Sequence, residues 1–188
     1  KGHCRFCGKR ISWQYPLVEL LTGVLFYLSY LSHLSFLSCL FICGLIVIFF
    51  VDLEHQIIPD EIVIPLSILF LVYFLMTNPQ LLITNYLITA LISFLFLYFI
   101  FLLTKGKGMG LGDVKLAFLM GLVLGFPKIV VAFYLAFLTG AFVGVILILL
   151  SRAKLKQKIA FGPFLVFGTI FSLLWGEKIV TLAEKVLL

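Results

Sequence analysis

The chain has 188 residues, of which 63% are hydrophobic and only 12% are charged. A soluble domain of this size needs far more polar surface, so the composition predicts a polytopic membrane protein. The net charge of +6 is better explained by basic loops on one side of a membrane than by nucleic-acid binding. The chain begins with Lys1 rather than Met, and we expect it to be a fragment or a processed product.

Apolar runs along the chain predict the membrane spans, each of which needs about 20 residues. We place them at residues 16–32, 36–51, 61–77, 81–104, 114–126, 128–150 and 159–176. The fifth run is short, and Pro127 separates it from the sixth, which predicts a broken or tilted helix. The expected fold is an all-α membrane helix bundle of about seven spans. Residues 1–15 would be a cytoplasmic remnant and residues 16–188 the transmembrane domain.

The basic residues predict the orientation of the bundle. If the N-terminus is cytoplasmic, the inside segments are residues 1–15, 52–60, 105–115 and 151–158. These segments hold eleven of the 14 Lys and Arg residues, as the positive-inside rule requires. Asp52 then ends the second span and Asp113 precedes the fifth, so both carboxylates are expected at the cytoplasmic boundary.

Two aspartates at one depth suggest a specific chemistry. Carboxyl groups brought close together cannot both ionise easily, so Asp52 and Asp113 would share one proton. One could act as a general base on water while the other, protonated, polarises a peptide carbonyl. This is the chemistry of an aspartic protease, and we expect it to need no metal or cofactor.

The stretch KGKGMGLGDVK, residues 105–115, leads directly into Asp113. Its glycines at Gly108, Gly110 and Gly112 would let an extended substrate backbone approach closely and pair by main-chain hydrogen bonds. A glycine-rich turn followed by a helix-capping Asp is also a common connection between helices. From these residues alone, both interpretations remain open.

Four ordered segments resemble the type IV prepilin peptidases, the bacterial GxGD aspartic proteases. They are GMGLGDVKL at residues 108–116, CRFC with ISWQYPLVE at residues 4–19, DLEHQIIPD at residues 52–60, and FGPFL at residues 161–165. The resemblance covers essentially the whole chain. It implies a GxGD-type membrane protease in which Asp52 and Asp113 are the catalytic pair. In the family pattern the catalytic Asp precedes the I-P-D group, so Asp60 is expected to cap the third span instead.

The resemblance also implies the biological setting. The enzyme would lie in the bacterial inner membrane, among lipids, with its active site facing the cytoplasm. It would remove the short basic leader of type IV prepilins or type II secretion pseudopilins.

Many members of this family also methylate the new N-terminus with S-adenosylmethionine. Those members carry two C-x-x-C pairs after a first N-terminal span, whereas this chain has one, Cys4 and Cys7. Two thiolates are half of a tetrahedral zinc site. We therefore expect weak or no metal binding here, with zinc and methyl transfer as properties of a full-length protein.

Two side chains close to the aspartates are candidates for tuning them. His55 could influence Asp52 or simply be a solvated residue at the membrane boundary. Lys115 could hold Asp113 ionised or extend its ammonium group to the interface. Glu19 matches a Glu of the family pattern, but the sequence assigns it no role.

Two other functions compete with this interpretation. A presenilin-like protease would cut inside the bilayer, but both aspartates here fall at span ends. A proton-coupled transporter could use the aspartates as a relay, but we find no inverted internal repeat, which that class is expected to have. The sequence does not indicate the oligomeric state.

Overall fold

The computed structural model describes residues 2, 12–106, 108–150 and 160–187, and these contain helices and turns but no strand. The helices are α1 (Gln14–Leu31), α2 (Phe36–His55), α3 (Asp60–Thr77), α4 (Pro79–Leu103), α5 (Leu111–Leu124), α6 (Lys128–Leu149) and α7 (Gly162–Leu187). Helix α4 includes a π-helical stretch, Leu82–Leu87. The predicted all-α fold is confirmed.

Five helices in the described part of the chain are long and apolar enough to cross a membrane: α2, α3, α4, α6 and α7. Helix α1 has 18 residues but includes Gln14, Glu19 and several hydroxyl side chains, which lower its hydropathy. Helix α5 has only 14 residues, fewer than the roughly 20 of a full span. Among the described residues, seven helices thus occupy the seven predicted segments, and five of these helices have the length and hydropathy of a span. The protein is a multi-pass membrane protein.

The chain divides into two compact units, Lys1–Ile46 and Val47–Leu188. The first unit contains α1 and the first half of α2. Helix α1 ends where His33 adopts a positive φ of 52°, and the N–H of Leu34 bonds back to the Ser29 carbonyl at 3.0 Å. The second unit contains the end of α2 and helices α3 to α7, and it holds both predicted catalytic aspartates.

Helix α5 is the central helix of the second unit. It packs against α3, α4, α6 and α7, and ten of its 14 residues are buried. A helix that is apolar around its whole circumference is typical of a buried position. Because Asp113 lies in the first turn of α5, the surrounding helices determine where this carboxylate is held.

Glycines allow two pairs of helices in this unit to approach closely. A Cβ at Gly121 of α5 would lie 2.6 Å from the Cα of Ala90 in α4, so nothing larger than glycine fits without movement. Gly168 of α7 lies in the same way against the carbonyl of Ala132 in α6. Small residues at such crossings are typical of helix packing in membranes, where close backbone contact drives association.

The break predicted at Pro127 is confirmed, because α5 ends at Leu124 and α6 begins at Lys128. The chain turns through Gly125, whose φ is +64°, and through a cis peptide bond between Phe126 and Pro127. The Asn85 side chain holds this turn from α4. Its amide donates to the Phe126 carbonyl at 3.2 Å, and its Oδ1 accepts from the Phe126 N–H at 2.8 Å.

Candidate active site

Asp52 lies in the last turn of α2, and only 4% of its surface is exposed. Its backbone carbonyl accepts the N–H of Gln56 at 2.9 Å, and Gln56 ends the helix with a φ of +54°. The side-chain oxygen Oδ2 is buried and has no hydrogen-bond partner among the described residues. Buried polar atoms without a partner are rare in native proteins, so this oxygen is a candidate acceptor for a reacting group.

Asp113 is the third residue of α5 and is 7% exposed. Its Oδ2 accepts the backbone N–H of Gly110 at 2.8 Å, which is the side-chain half of a capping box; Gly110 has no side chain to complete the other half. Burial raises the pKa of Asp113 from an ordinary 3.8 to about 6. The Gly110 hydrogen bond lowers this pKa and the charge of Asp52 raises it, so the two carboxylates interact electrostatically.

Both aspartates line one open pocket of about 410 Å³. The walls come from the end of α2 with residues 56–58, from the glycine segment 108–112, and from residues 160–161. The described part of the chain therefore brings together two carboxylates that are 61 positions apart in sequence. The predicted juxtaposition of Asp52 and Asp113 is found in the structure; their catalytic role stays a prediction.

The glycine segment follows a tight helix end. Helix α4 stops in a Schellman motif, in which Lys105 has a φ of +51° and the N–H of Gly106 bonds to the Phe101 carbonyl at 3.0 Å. Gly108 and Gly110 are exposed on the pocket wall. Two of the three predicted substrate-binding glycines are therefore open to a peptide.

Gly112 also lines the pocket, but it makes a packing contact. A Cβ at Gly112 would lie 2.9 Å from the Cβ of Ile58, so Ile58 already fills the space beside it. Ile58 is 7% exposed and belongs to the segment between α2 and α3. The absence of a side chain at residue 112 thus lets the start of α5 lie directly against this segment.

Lys115 contacts Asp60 across the pocket rim. Its Nζ lies 2.6 Å from Asp60 Oδ2 and 2.9 Å from Oδ1, and both side chains are about half exposed. Asp60 is the first residue of α3, whose N-cap is Pro59 and which has no side-chain cap hydrogen bond. The expectation that Asp60 caps this helix is therefore wrong, because its carboxylate is engaged by Lys115 instead.

The remaining predicted residues are placed as follows. His55 ends α2, is exposed, and has its Nε2 3.9 Å from Glu54 Oε2. Cys4 and Cys7 lie outside the described residues. Within the described ranges, no three His, Cys, Asp or Glu side chains form a group that could hold a metal ion. Glu19 is exposed on α1, in the first unit.

Gly162 contacts Asp52 in the candidate site, and the sequence did not predict this contact. It is the first residue of α7, and its backbone amide lies beside the Asp52 carboxylate. A Cβ at this position would be 2.5 Å from Asp52 Oδ2. The sequence FGPFL indicates a helix start, because Pro is favoured in the first turn, but no local pattern indicates which side chain this helix start contacts.

Comparison with known proteins gives the family. The profile of the type IV leader peptidase family matches residues 39–145, a range that contains both aspartates, the glycine segment and helix α5. The bacterial peptidase A24 N-terminal domain matches residues 1–33. No solved structure matches the chain significantly.

Several curated relatives bear the name prepilin leader peptidase/N-methyltransferase. The protein from Bacillus subtilis is 34% identical, and the match covers all of this chain and 77% of that protein. Those from Aeromonas hydrophila and Pseudomonas aeruginosa are each 34% identical; each match covers 95% of this chain but only 64% of the relative. These matches confirm the resemblance drawn from the motifs. The chain belongs to the type IV leader peptidase family and is therefore a peptidase.

Proposed function

We propose that this membrane peptidase removes the leader from type IV prepilins, or from type II secretion pseudopilins, with Asp52 and Asp113 as its catalytic pair. One observation carries the proposal: two buried aspartates from distant segments line the same open pocket as an exposed glycine segment. The names of the relatives support a prepilin as the substrate.

The two carboxyl groups divide the chemistry between them. Asp113, whose pKa is raised to about 6, carries the shared proton, and Asp52 offers its unpartnered Oδ2 as the base. Asp52 takes a proton from water while the water oxygen bonds to the scissile carbonyl carbon, and Asp113 donates its proton to the carbonyl oxygen. As the C–N bond breaks, Asp52 protonates the leaving amine and Asp113 recovers its proton from the hydroxyl group.

The glycine segment positions the substrate backbone. Gly108 and Gly110 are exposed on the pocket wall, so an extended peptide can lie against their main chain without a side chain between them. Such pairing would hold the scissile bond beside both aspartates, and correct placement of reacting groups is itself a large part of catalysis.

The proposed setting is a bacterial inner membrane with the pocket on the cytoplasmic side. The support is the charge distribution, since the segments on the side of the two aspartates hold eleven of the 14 basic residues. The relatives' names also include N-methyltransferase, so methyl transfer from S-adenosylmethionine is proposed for a full-length protein. Cys4 and Cys7, the two thiols predicted to be half of a zinc site, lie outside the described residues.

Cleavage of a purified prepilin in detergent tests the proposal. Asp52→Asn and Asp113→Asn should each keep the fold and reduce cleavage by at least about 1000-fold, because an amide can neither accept nor donate the required proton. The measurement is the initial rate of leader release, with the melting temperature of each variant as the check on folding.

Two further variants make the test specific. Glu61→Gln alters an exposed carboxylate in the first turn of α3 and should cut at the wild-type rate. Asp60→Asn tests the other aspartate of the same sequence segment and should retain most activity, since Asp60 is half exposed and paired with Lys115. If Asp60→Asn is inactive while Asp52→Asn still cuts, the catalytic assignment is wrong.

A further inference from the structure

The FGPFL segment, residues 161–165, resembles a motif of the family, yet the proposed chemistry uses none of its residues. In the structure it forms the start of α7, and Phe161 lines the pocket that contains both aspartates. A Cβ built on Gly162, the next residue, would touch the Asp52 carboxylate. The geometry of the contact between Gly162 and Asp52 indicates what Gly162 does in the site.

The contact between Gly162 and Asp52 leaves no room for a side chain. A Cβ at residue 162 would lie 2.5 Å from Oδ2 and 3.0 Å from Cγ of Asp52, well inside van der Waals contact. Asp52 is only 4% exposed, so most of its surface is already in contact with neighbouring groups. Any larger residue at position 162 must therefore move the carboxylate or the first turn of α7.

Ile58 bounds the same space from another direction. The Cβ position of Gly162 lies 3.3 Å from Ile58 Cδ1, and that of Gly112 lies 2.9 Å from Ile58 Cβ. One buried isoleucine thus separates two glycines, of which one touches Asp52 and the other immediately precedes Asp113. The backbone at these glycines, with Ile58 between them, limits where each carboxylate can be.

We propose that Gly162 is a positioning residue for Asp52: by lacking a side chain, it lets the start of α7 hold the Asp52 carboxylate in its reactive place beside Asp113. This inference rests on the proposed function of the pair, and it concerns the rate of the chemical step rather than substrate binding. The three heavy atoms nearest to a Cβ at Gly162 belong to Asp52 and Ile58, whereas the exposed glycines that would hold the substrate are Gly108 and Gly110.

The test is Gly162→Ala, assayed with a purified prepilin in detergent. The added methyl group should displace the carboxylate and lower kcat by about 100-fold, as a misplacement of about 1 Å is known to do. KM should stay close to the wild-type value because the glycine segment is unchanged.

A second variant, Gly162→Ala with Ile58→Val, removes Ile58 Cδ1 and gives the new methyl group room to move away from Asp52. It should recover part of the lost kcat, a non-additivity expected only of coupled neighbours.

Two control variants show the effect of an added methyl group where it fits and where it disrupts helix packing. A Cβ at Gly140 would make ordinary contacts, 3.4 Å from Phe164 Cδ2 and 3.6 Å from Phe161 Cε2, so Gly140→Ala should keep wild-type kcat and melting temperature. Gly168→Ala forces a methyl group into the α6 backbone and should lower the melting temperature.

If Gly162→Ala melts as low as Gly168→Ala, or keeps wild-type kcat, the positioning role is overturned. Activity remaining in Asp52→Asn and Asp113→Asn, measured in the same assay, would instead reject the proposed function.

Discussion

Asp52 and Asp113 are both almost fully buried, but their carboxylates have different surroundings. Asp113 accepts the N–H of Gly110 at 2.8 Å, whereas Asp52 Oδ2 has no partner among the described residues. The helix-capping and the catalytic interpretations of Asp113, which the sequence presents as alternatives, are compatible in one side chain. A capping contact fixes the carboxylate while burial changes its proton affinity, and both effects suit a group that must hold and release a proton.

The raised pKa of Asp113 predicts a pH-dependent stability difference. Its folded-state pKa of about 6 exceeds the ordinary 3.8, so the native state retains a proton that the unfolded chain releases in this interval. The free energy of unfolding therefore falls as pH rises from about 4 to 6. Asp113→Asn cannot ionise, and above pH 6 it should be more stable than the wild type by roughly 2–3 kcal/mol. Thermal melting in detergent at pH 4 to 8 measures the difference.

The form of this pH dependence is the decisive part of the measurement. The gap in melting temperature between Asp113→Asn and the wild type should be constant above pH 6 and should shrink towards pH 4. Glu61→Gln, which changes an exposed carboxylate, serves as the control and should show no such trend. An Asp113→Asn gap that is the same at every pH would show that Asp113 does not titrate in this interval.

At the scale of the helices, α5 links the fold to the site. Its first turn carries Asp113, and Gly121, the eleventh of its 14 residues, touches the backbone of α4 at Ala90 and Thr89. Displacement of α5 at this crossing would therefore also move Asp113. The stability of the bundle and the geometry of the carboxylate pair consequently depend on the same packing.

Gly121→Ala should therefore destabilise the protein. The new methyl group would lie 2.6 Å from Ala90 Cα and 2.8 Å from the Thr89 carbonyl oxygen, and a backbone cannot yield as a flexible side chain can. Overpacking of this kind costs about 1–3 kcal/mol, and it should appear as a lower melting temperature in detergent. Gly140→Ala, where the contacts are ordinary, is the matched control. Equal melting of the two variants would contradict a tight α4–α5 crossing.

Hydropathy predicted most of the helix positions, but it did not predict where the last helix, α7, ends. The apolar run ends near Gly176, so the sequence predicts a seventh span that stops at residue 176, whereas α7 continues to Leu187. The charge of Glu177 is accommodated because its carboxylate pairs with the Lys128 ammonium at 2.5 Å. Hydropathy alone treats each charge as isolated and does not reveal a partner 49 positions away.

The site, like the helices, was predictable where the signal is local in the sequence and not where it depends on contacts between distant residues. Asp52, Asp113 and the glycine segment could be found from motifs, because their spacing is local and resembles a known pattern. The Lys115–Asp60 pair and the contact of Gly162 with Asp52 join residues 55 and 110 positions apart. Such contacts depend on how the helices pack, and no local pattern encodes them.

At the scale of the whole molecule, the basic residues predict which side of the membrane holds the pocket. Helix α3 has the length and hydropathy of a span, so residues before and after it should lie on opposite sides. The side that precedes α3 carries Asp52, and the other segments brought to the same pocket include the Lys-rich segment 105–115. The positive-inside rule therefore predicts that the pocket faces the cytoplasm.

Cysteine labelling should confirm this orientation. With the four native cysteines replaced by serine, a single cysteine is introduced as Glu54→Cys or Asn78→Cys, at exposed positions on either side of α3. A membrane-impermeant maleimide should label Asn78→Cys in intact cells and Glu54→Cys only in inside-out vesicles, because the basic segments are retained in the cytoplasm. The reverse pattern would place the aspartates outside, where a cytoplasmic leader could not reach them.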